Sequence, residues 1–198
     1  SVGFEFSVGE LFWLAAIPGL TGPTLRIPHS FLPSKIGGWA THIISVGSLL
    51  APTVWLFFAI QDSATAWSTF MIIGALAGFG GGNFASSMSN ISSFFPTNRQ
   101  GLALGLNAGL GNLGVSTVQA ITPLIIGVGI VGNSMVYREG KFVNGEWITT
   151  AGGVVKEVWL QSGLLIWIIP TVIVFVAALL FMNSLRTFSL SLQDQMGI

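Results

Sequence analysis

Long apolar stretches alternate along the chain with short polar segments. Four stretches contain no Asp, Glu, Lys or Arg: residues 36–61, 63–98, 100–137 and 158–185. Each stretch is longer than the roughly 20 residues that a helix needs to cross a bilayer. The pattern therefore predicts an all-α membrane protein with several membrane spans.

A fifth apolar segment, Glu10–Leu32, carries Arg26 near its middle and prolines at a regular interval of five residues. Each proline removes a backbone donor and tends to kink a helix. Lipid tolerates the freed carbonyls only where neighbouring helices or water satisfy them. We therefore expect a bent span packed inside a helical bundle, with a re-entrant segment as the alternative. The prolines are Pro18, Pro23, Pro28 and Pro33.

The sequence predicts five spans and one long loop on the extracytoplasmic side. The spans cover residues 10–32, 39–60, 65–95, 101–131 and 158–182. Residues 132–157 hold six charges of both signs and several glycines, a composition typical of a solvated loop. Short segments rich in Lys and Arg face the cytoplasm in multi-pass proteins. Lys35, Arg99 and Arg186 all fall on one side of the alternating topology, so we expect that side to be cytoplasmic in a cell (inner) membrane.

Composition narrows the class of protein. Of the 198 residues, 52% are hydrophobic and only 7% are charged, against about 25% in soluble domains. The formal net charge is zero, so no basic surface predicts nucleic-acid binding, and the absence of cysteine excludes disulfides and thiolate metal sites. The chain begins with Ser rather than Met, which suggests an internal piece of a longer protein.

Arg26 is the strongest candidate for chemistry. An arginine at bilayer depth costs about 2.5–3.5 kcal/mol on insertion scales, so it normally serves a partner or an anion. His29, three residues later, shares its helix face and is interpreted as a neutral hydrogen-bonding side chain, with proton transfer as the alternative. His42 is expected at the membrane interface. Without an intramembrane carboxylate or a nucleophile–base pair, the sequence predicts neither an enzyme nor a metal or cofactor site.

Two glycine stripes lie on consecutive spans. Gly74, Gly78 and Gly82 recur every four residues, and Gly101, Gly105 and Gly109 do the same. Such stripes let helix backbones approach closely. Joined by a short turn, they suggest two helices in tight antiparallel contact, although ordinary helix packing explains a single stripe.

Polar stripes run beside the glycines. Asparagine in lipid is costly unless it is hydrogen-bonded, so these faces should turn toward the bundle interior or a wet cavity. Interhelical hydrogen bonding and cavity lining both remain open. Phe84 lies between the first polar stripe and the glycines. The polar positions are Asn83, Ser87 and Asn90 on the third span, and Asn107, Asn112, Ser116 and Gln119 on the fourth.

The run Gly109–Gly114 matches the pattern GxGxxG but does not predict a dinucleotide site. It lies inside a 38-residue uncharged stretch, residues 100–137, no strand precedes it, and no acidic residue follows until Glu139.

Several long motifs resemble the nitrate/nitrite porter family of the major facilitator superfamily. They are LFWLAAIPGLTGPTLRI (Leu11–Ile27), VWLFFAIQD (Val54–Asp62), GGGNFASSMSNISSFFP (Gly80–Pro96) and GLALGLNAGLGNLGVS (Gly101–Ser116). The first resembles the family's second helix with its arginine, and the last resembles its nitrate signature. The resemblance is good over residues 5–120 and weaker beyond.

The resemblance implies roles for individual residues. Arg26 would be one of two arginines that clamp nitrate or nitrite, and Phe84 one of two rings that sandwich the planar anion. Asn112 would contact the substrate. Further residues would shape the pathway or the helix packing: Gly78, Gly82, Asn83, Gly101, Gly105, Asn107, Gly109 and Gly111.

The resemblance covers only helices two to six of a twelve-helix porter. The first helix and the whole C-terminal half, with the partner arginine and partner ring, are missing, so this chain would hold half a site and could not transport alone. Without a carboxylate at depth, nitrate/nitrite antiport is favoured over nitrate/proton symport. The alternatives are a major facilitator transporter for another small anion or organic solute, and a channel or non-transporting membrane subunit.

Overall fold

The computed structural model describes residues 3–4, 6–144 and 146–182, and the predicted helical fold is confirmed. Along the described chain the helices are α1 (Val8–Ala59), α2 (Trp67–Ala77), α3 (Phe79–Phe94), α4 (Thr97–Ile125) and α5 (Leu160–Phe181). Between α4 and α5 lie four short strands: β1 (Met135–Arg138), β2 (Gly140–Val143), β3 (Glu146–Thr149) and β4 (Val155–Val158).

Helix α1 contains both the first and the second predicted span. Ser7 caps its start: the Ser7 hydroxyl accepts from the Glu10 N–H at 3.2 Å, and the Glu10 carboxylate accepts from the Ser7 N–H at 2.8 Å. A straight helix of 52 residues would extend about 78 Å, far beyond the roughly 30 Å of a bilayer's hydrocarbon core. At Gly37 the backbone leaves the helical region with φ 82° and ψ 160°, which glycine adopts readily. Gly37 therefore divides α1 into two segments, 8–36 and 38–59.

The two segments of α1 run in opposite directions along α2 and α3. The neighbouring pairs are Ile17–Gly74, Gly22–Gly81, Leu49–Gly80 and Gly38–Asn90. Residue numbers rise together in the first two pairs. In the last two pairs the numbers on one helix rise as those on the other fall, so the chain reverses its direction at Gly37, between the first two predicted spans.

The third predicted span consists of two helices that meet at Gly78. The backbone of Gly78 itself has helical angles, φ −60° and ψ −24°. Its N–H donates to the Gly74 carbonyl at 3.2 Å, and its carbonyl accepts from the Gly81 N–H at 2.9 Å. The helical path from Trp67 to Phe94 is therefore interrupted only at Gly78, where the bond from the Gly81 N–H to the Gly78 carbonyl makes one turn tighter than an α-helical turn.

Glycines bring α2 and α3 against the first segment of α1. A Cβ atom on Gly81 would lie 2.8 Å from the Cα of Gly22, and one on Gly82 would lie 2.7 Å from the ring of His29. Real Cβ atoms do not approach other atoms so closely, so a side chain at either position would push the helices apart. The pairs Gly74–Ile17 and Gly78–Thr21 are similarly tight.

The expectation of two glycine stripes packed on each other is wrong for the described chain. The stripe of α2 and α3 packs on α1 instead. On α4, no atom lies within 4 Å of a Cβ built at Gly101, Gly105 or Gly109. The sequence showed which helix face lacks side chains, but helical periodicity does not say which neighbouring helix packs against that face.

Helix α4 contacts α3 through polar side chains. The Gln100 Nε2 donates to the Ser92 carbonyl at 2.7 Å, and the Asn107 Nδ2 donates to the Ser87 Oγ at 3.1 Å. From the first pair to the second, residue numbers rise along α4 and fall along α3, so the two helices are antiparallel.

The joint between α4 and α5 is held by Gln161. Helix α4 ends at Ile125, before the predicted end at residue 131, and Gly132 follows with φ 77°. The side chain of Gln161 is fully buried, and its Nε2 donates to the carbonyls of Val131 and Asn133 at 2.9 and 2.8 Å. This side chain fixes the loop that leads to the strands.

The predicted solvated loop contains two antiparallel strand pairs. Strand β1 pairs with β4, with Met135 opposite Val158 and Arg138 opposite Val155. Strand β2 pairs with β3. The Glu139 carboxylate accepts from the Val154 N–H at 3.1 Å, which ties the two pairs together.

Two helices of the described chain, α1 and α5, are long and apolar enough to cross a membrane. The 22 residues of α5 would rise about 33 Å. Many large apolar side chains on both helices are exposed, including Phe12, Trp13, Ile173 and Leu180.

A methyl group at Gly81 tests the glycine contact. We expect Gly81→Ala to lower the free energy of unfolding by about 1–3 kcal/mol, because its Cβ would overlap Gly22. The matched control is Gly19→Ala on α1, since no atom lies within 4 Å of a Cβ at Gly19. Thermal unfolding of the purified variants in detergent measures both, and an equal effect of the two changes would contradict the contact.

Candidate functional site

Arg26 lies on α1 and reaches across to α3. Its Nε donates to the Gly81 carbonyl at 3.4 Å. This carbonyl is accessible because α1 and α3 meet backbone to backbone at Gly22 and Gly81. The close contact between Gly22 and Gly81 thus allows one long hydrogen bond, from the Nε of Arg26, which positions the guanidinium group.

Phe84 lies beside the same guanidinium group. The Cζ atom of Arg26 is 5.6 Å from the centroid of the Phe84 ring. At this distance the ring quadrupole attracts the cation. Phe84 is 43% exposed and Arg26 is exposed as well, so the pair borders open space. The structure therefore brings together two residues that the sequence motifs had predicted to share a site.

The outer edge of the Arg26 guanidinium carries unused donors. An arginine has five N–H donors, and among the described residues only the Nε bond to Gly81 is formed. In the same part of the chain no carboxylate forms an ion pair with Arg26. The two terminal NH₂ groups are therefore available for a bidentate interaction with an oxyanion.

His29 lies one turn beyond Arg26 and is buried, with 6% of its surface exposed. Its Nδ1 is 2.8 Å from the Leu25 carbonyl, and its ring lies edge-on to Phe79 and against Gly82. These contacts fit a hydrogen-bonding histidine that packs at the contact between α1 and α3.

The candidate asparagines occupy different places. Asn83 accepts a 3.3 Å hydrogen bond from Ser86 within α3, and Asn107 bridges α4 to Ser87. Asn112 is exposed on α4, and its side chain forms no hydrogen bond with the described residues.

The candidate glycines divide into two groups. Gly78 and Gly82 pack against α1, as described above. The glycines of α4 border open space in the described chain: Gly101, Gly105, Gly109 and Gly111. Lys35 and Arg99 are exposed, and Arg186 lies outside the described residues.

The sequence motifs did not single out Gly81, which supplies the carbonyl that holds Arg26. The only signal for it was its place inside the run Gly80–Gly82, since a backbone acceptor leaves no side-chain trace. Within the described ranges, no three His, Asp or Glu side chains converge on one point where a metal ion could bind.

The chain is similar to curated bacterial nitrate/nitrite transporters. It is 53% identical over 125 residues to nitrate/nitrite transporter NarU of Salmonella typhimurium, a match covering 63% of this chain and 27% of that protein. It is 39% identical over 197 residues to NarU of Escherichia coli, covering 100% of this chain and 40% of that protein. The resemblance to the nitrate/nitrite porter family is confirmed.

A third relative comes from Thermus thermophilus. The chain is 43% identical over 169 residues to the probable nitrate/nitrite antiporter NarK2 of Thermus thermophilus, covering 84% of this chain and 36% of that protein. No protein-family model matches the chain. The chain is a membrane protein by this homology, and it spans 27–40% of the length of these porters.

Cysteine substitution tests whether the open side of Arg26 faces water. The chain contains no cysteine, so single-cysteine variants have no background. We expect a charged thiol reagent to modify Arg26→Cys at least about tenfold faster than Ile173→Cys, because only a hydrated thiol ionises readily. Both positions are exposed in the described chain, so equal, slow modification would mean that lipid covers Arg26. His29→Cys, which is buried, should also react slowly.

Proposed function

We propose that this chain supplies one half of the substrate site of a nitrate/nitrite carrier. The observation that carries the proposal is the Arg26 guanidinium, held by the Gly81 carbonyl at its root and open at its outer edge. A planar guanidinium matches the edge of a planar oxyanion in two parallel hydrogen bonds. The named functions of the three relatives support nitrate and nitrite as that oxyanion.

The surrounding side chains suit a small flat ion. The Phe84 ring forms one wall next to Arg26. We propose that nitrate bound at the Arg26 fork contacts this ring by its face, and that the exposed amide of Asn112 donates to one nitrate oxygen in the complete carrier. The glycines of α4 leave room beside it, which a second half of the porter would fill.

We propose that the complete carrier works by alternating access, with this chain as the N-terminal half of the bundle and five membrane spans in it. The two segments of α1, the α2–α3 path, α4 and α5 would be those spans. Lys35 and Arg99 lie near the same end of the helices, since Gly38 contacts Asn90 and Gln100 bonds to Ser92. The Lys35 end would face the cytoplasm of the cell.

Exchange of nitrate for nitrite is the coupling that the site favours. None of the acidic residues falls in the interior of a proposed span. His29 is buried, and its Nδ1 is engaged with the Leu25 carbonyl. A carrier half without a carboxylate near its cation suits antiport, in which one anion replaces another at Arg26.

Replacement of Arg26 by lysine tests the clamp. The assay is nitrate/nitrite exchange by a chimera in which this chain replaces the aligned segment of E. coli NarU. We expect Arg26→Lys to reduce exchange by at least about tenfold, because lysine keeps the charge but loses the fork. This loss of exchange rate corresponds to the loss of one charge-assisted hydrogen bond, which contributes about 1.5–3 kcal/mol.

Arg99→Lys is the matched control, because the same change is made on an exposed residue at the start of α4. It should leave exchange near the rate of the unmodified chimera. Near-normal exchange by Arg26→Lys would contradict the clamp. Saturable nitrate uptake by vesicles that contain only these 198 residues would contradict the assignment of half a site.

A further inference from the structure

Two side chains of α4 bond to α3 in the described chain. The Gln100 Nε2 donates to the Ser92 carbonyl, only eight residues earlier, so this bond belongs to the turn between the helices. The Asn107 Nδ2 donates to the Ser87 Oγ at 3.1 Å and lies 3.7 Å from the Met88 Sδ. Asn107 therefore supplies the polar contact between the bodies of the two helices.

Beyond Asn107, α4 borders open space until it meets α5. No atom lies within 4 Å of a Cβ built at Gly109, Gly111 or Gly114. The next α4 side chain that bonds another helix, among the described residues, is Thr122, whose Oγ1 accepts from the Trp167 Nε1 at 2.9 Å. The described α4 has no buried residue. Asn107 therefore fixes where the open stretch of α4 leaves α3.

The bond from Asn107 continues to the backbone of Phe84. The Ser87 Oγ accepts from the Asn107 Nδ2 at 3.1 Å and donates to the Phe84 carbonyl at 3.0 Å. A hydroxyl has one donor and two acceptor positions, so both bonds form together, and each strengthens the other. Other serines of α3 also donate to carbonyls of their own helix, but in the described chain their hydroxyls accept nothing from α4: Ser86, Ser92 and Ser93.

Phe84 connects these bonds to Arg26. Ser87 lies three residues after Phe84, so the two side chains are neighbours on one face of α3. The Asn107 amide is thus docked one helical turn from the Phe84 ring, whose centroid is 5.6 Å from the Arg26 Cζ. The ring is 43% exposed, so the space beside it depends on where α4 stands.

We infer that Asn107 is a positioning residue of the candidate site. Through Ser87 it holds α4 beside Phe84, and it thereby sets the width of the space next to the ring where a flat anion binds. The inference rests on the proposed function, since it concerns the anion at Arg26. Asn107 acts through Ser87 and α4 and does not touch the anion. Binding groups keep their geometry only when such supporting hydrogen bonds hold them.

The position of α4 can be measured on this chain alone, in lipid nanodiscs. The chain has no cysteine, and Gly19→Cys on α1 and Gly111→Cys on α4 offer open positions for two nitroxide labels. Pulsed electron paramagnetic resonance gives the distribution of distances between them. Asn107→Ala and Ser87→Ala should each broaden this distribution and shift it to longer distances. The control Ser93→Ala removes an exposed hydroxyl that bonds only within α3, and it should leave the distribution unchanged.

Exchange by the chimera with E. coli NarU measures the effect on the anion. We expect Asn107→Ala and Ser87→Ala each to raise the KM for nitrate about fivefold, the effect of one hydrogen bond, with a smaller change in kcat. The double variant should show the effect of either change alone, since both break one bond. Ser87→Thr keeps the hydroxyl and should restore most of the affinity that Ser87→Ala loses.

A competing anion separates positioning from folding. Perchlorate is monovalent like nitrate but tetrahedral and bulkier, so it should inhibit exchange by the Asn107→Ala chimera more strongly, relative to unlabelled nitrate, than exchange by the unmodified chimera. A folding defect would reduce the number of active carriers and hence the maximal rate. It would change neither the KM nor the ratio of the two inhibition constants.

Unchanged label distances in both alanine variants would overturn the inference, because α4 would then be held by other contacts. Changed distances with an unchanged KM and unchanged perchlorate inhibition would also overturn it, since the bond would then serve packing alone. Additive effects of Asn107→Ala and Ser87→Ala on the KM would contradict a shared bond. Near-normal exchange by Arg26→Lys would count against the proposed function instead, and the label distances would still report whether Asn107 holds α4.

Discussion

The contact between the backbones of α1 and α3 determines the rest of this site. At Gly22 and Gly81 the two helices meet without an intervening side chain, so a carbonyl of α3 comes within reach of an arginine on α1. In a medium of low dielectric constant such a polar contact is stronger than in water. Helix packing and the position of Arg26 therefore depend on the same few atoms, and the size of one residue affects both.

Some parts of the site were predictable because they leave a chemical signature in the sequence. An arginine inside an apolar segment is costly enough to demand a role, and the long motifs placed Phe84 near it. The helix that packs against each glycine stripe was not predictable. A stripe shows that one helix face lacks side chains, but it carries no information about the neighbouring helix. The Gly81 carbonyl was missed for a related reason, since every residue has one.

The kink and the strands show a second limit of sequence patterns. Proline spacing predicted bending in the first span, yet the reversal of direction takes place at Gly37, where only a positive φ distinguishes the residue. Strands β1–β4 are four residues long each. Their pairing depends on the register of a loop rather than on a periodic pattern, so charge and glycine content indicated only a solvated segment.

The Gly37 reversal has a consequence for how the protein reaches the membrane. The segments 8–36 and 38–59 are joined by a single residue and share α3 as their neighbour, so they suit co-translational entry as one helical hairpin. An isolated first segment would carry the full cost of Arg26, about 2.5–3.5 kcal/mol, into lipid. A hairpin spreads that cost over two apolar segments. The glycine would then govern the yield of inserted protein during biosynthesis, independently of the side chains that form the candidate site.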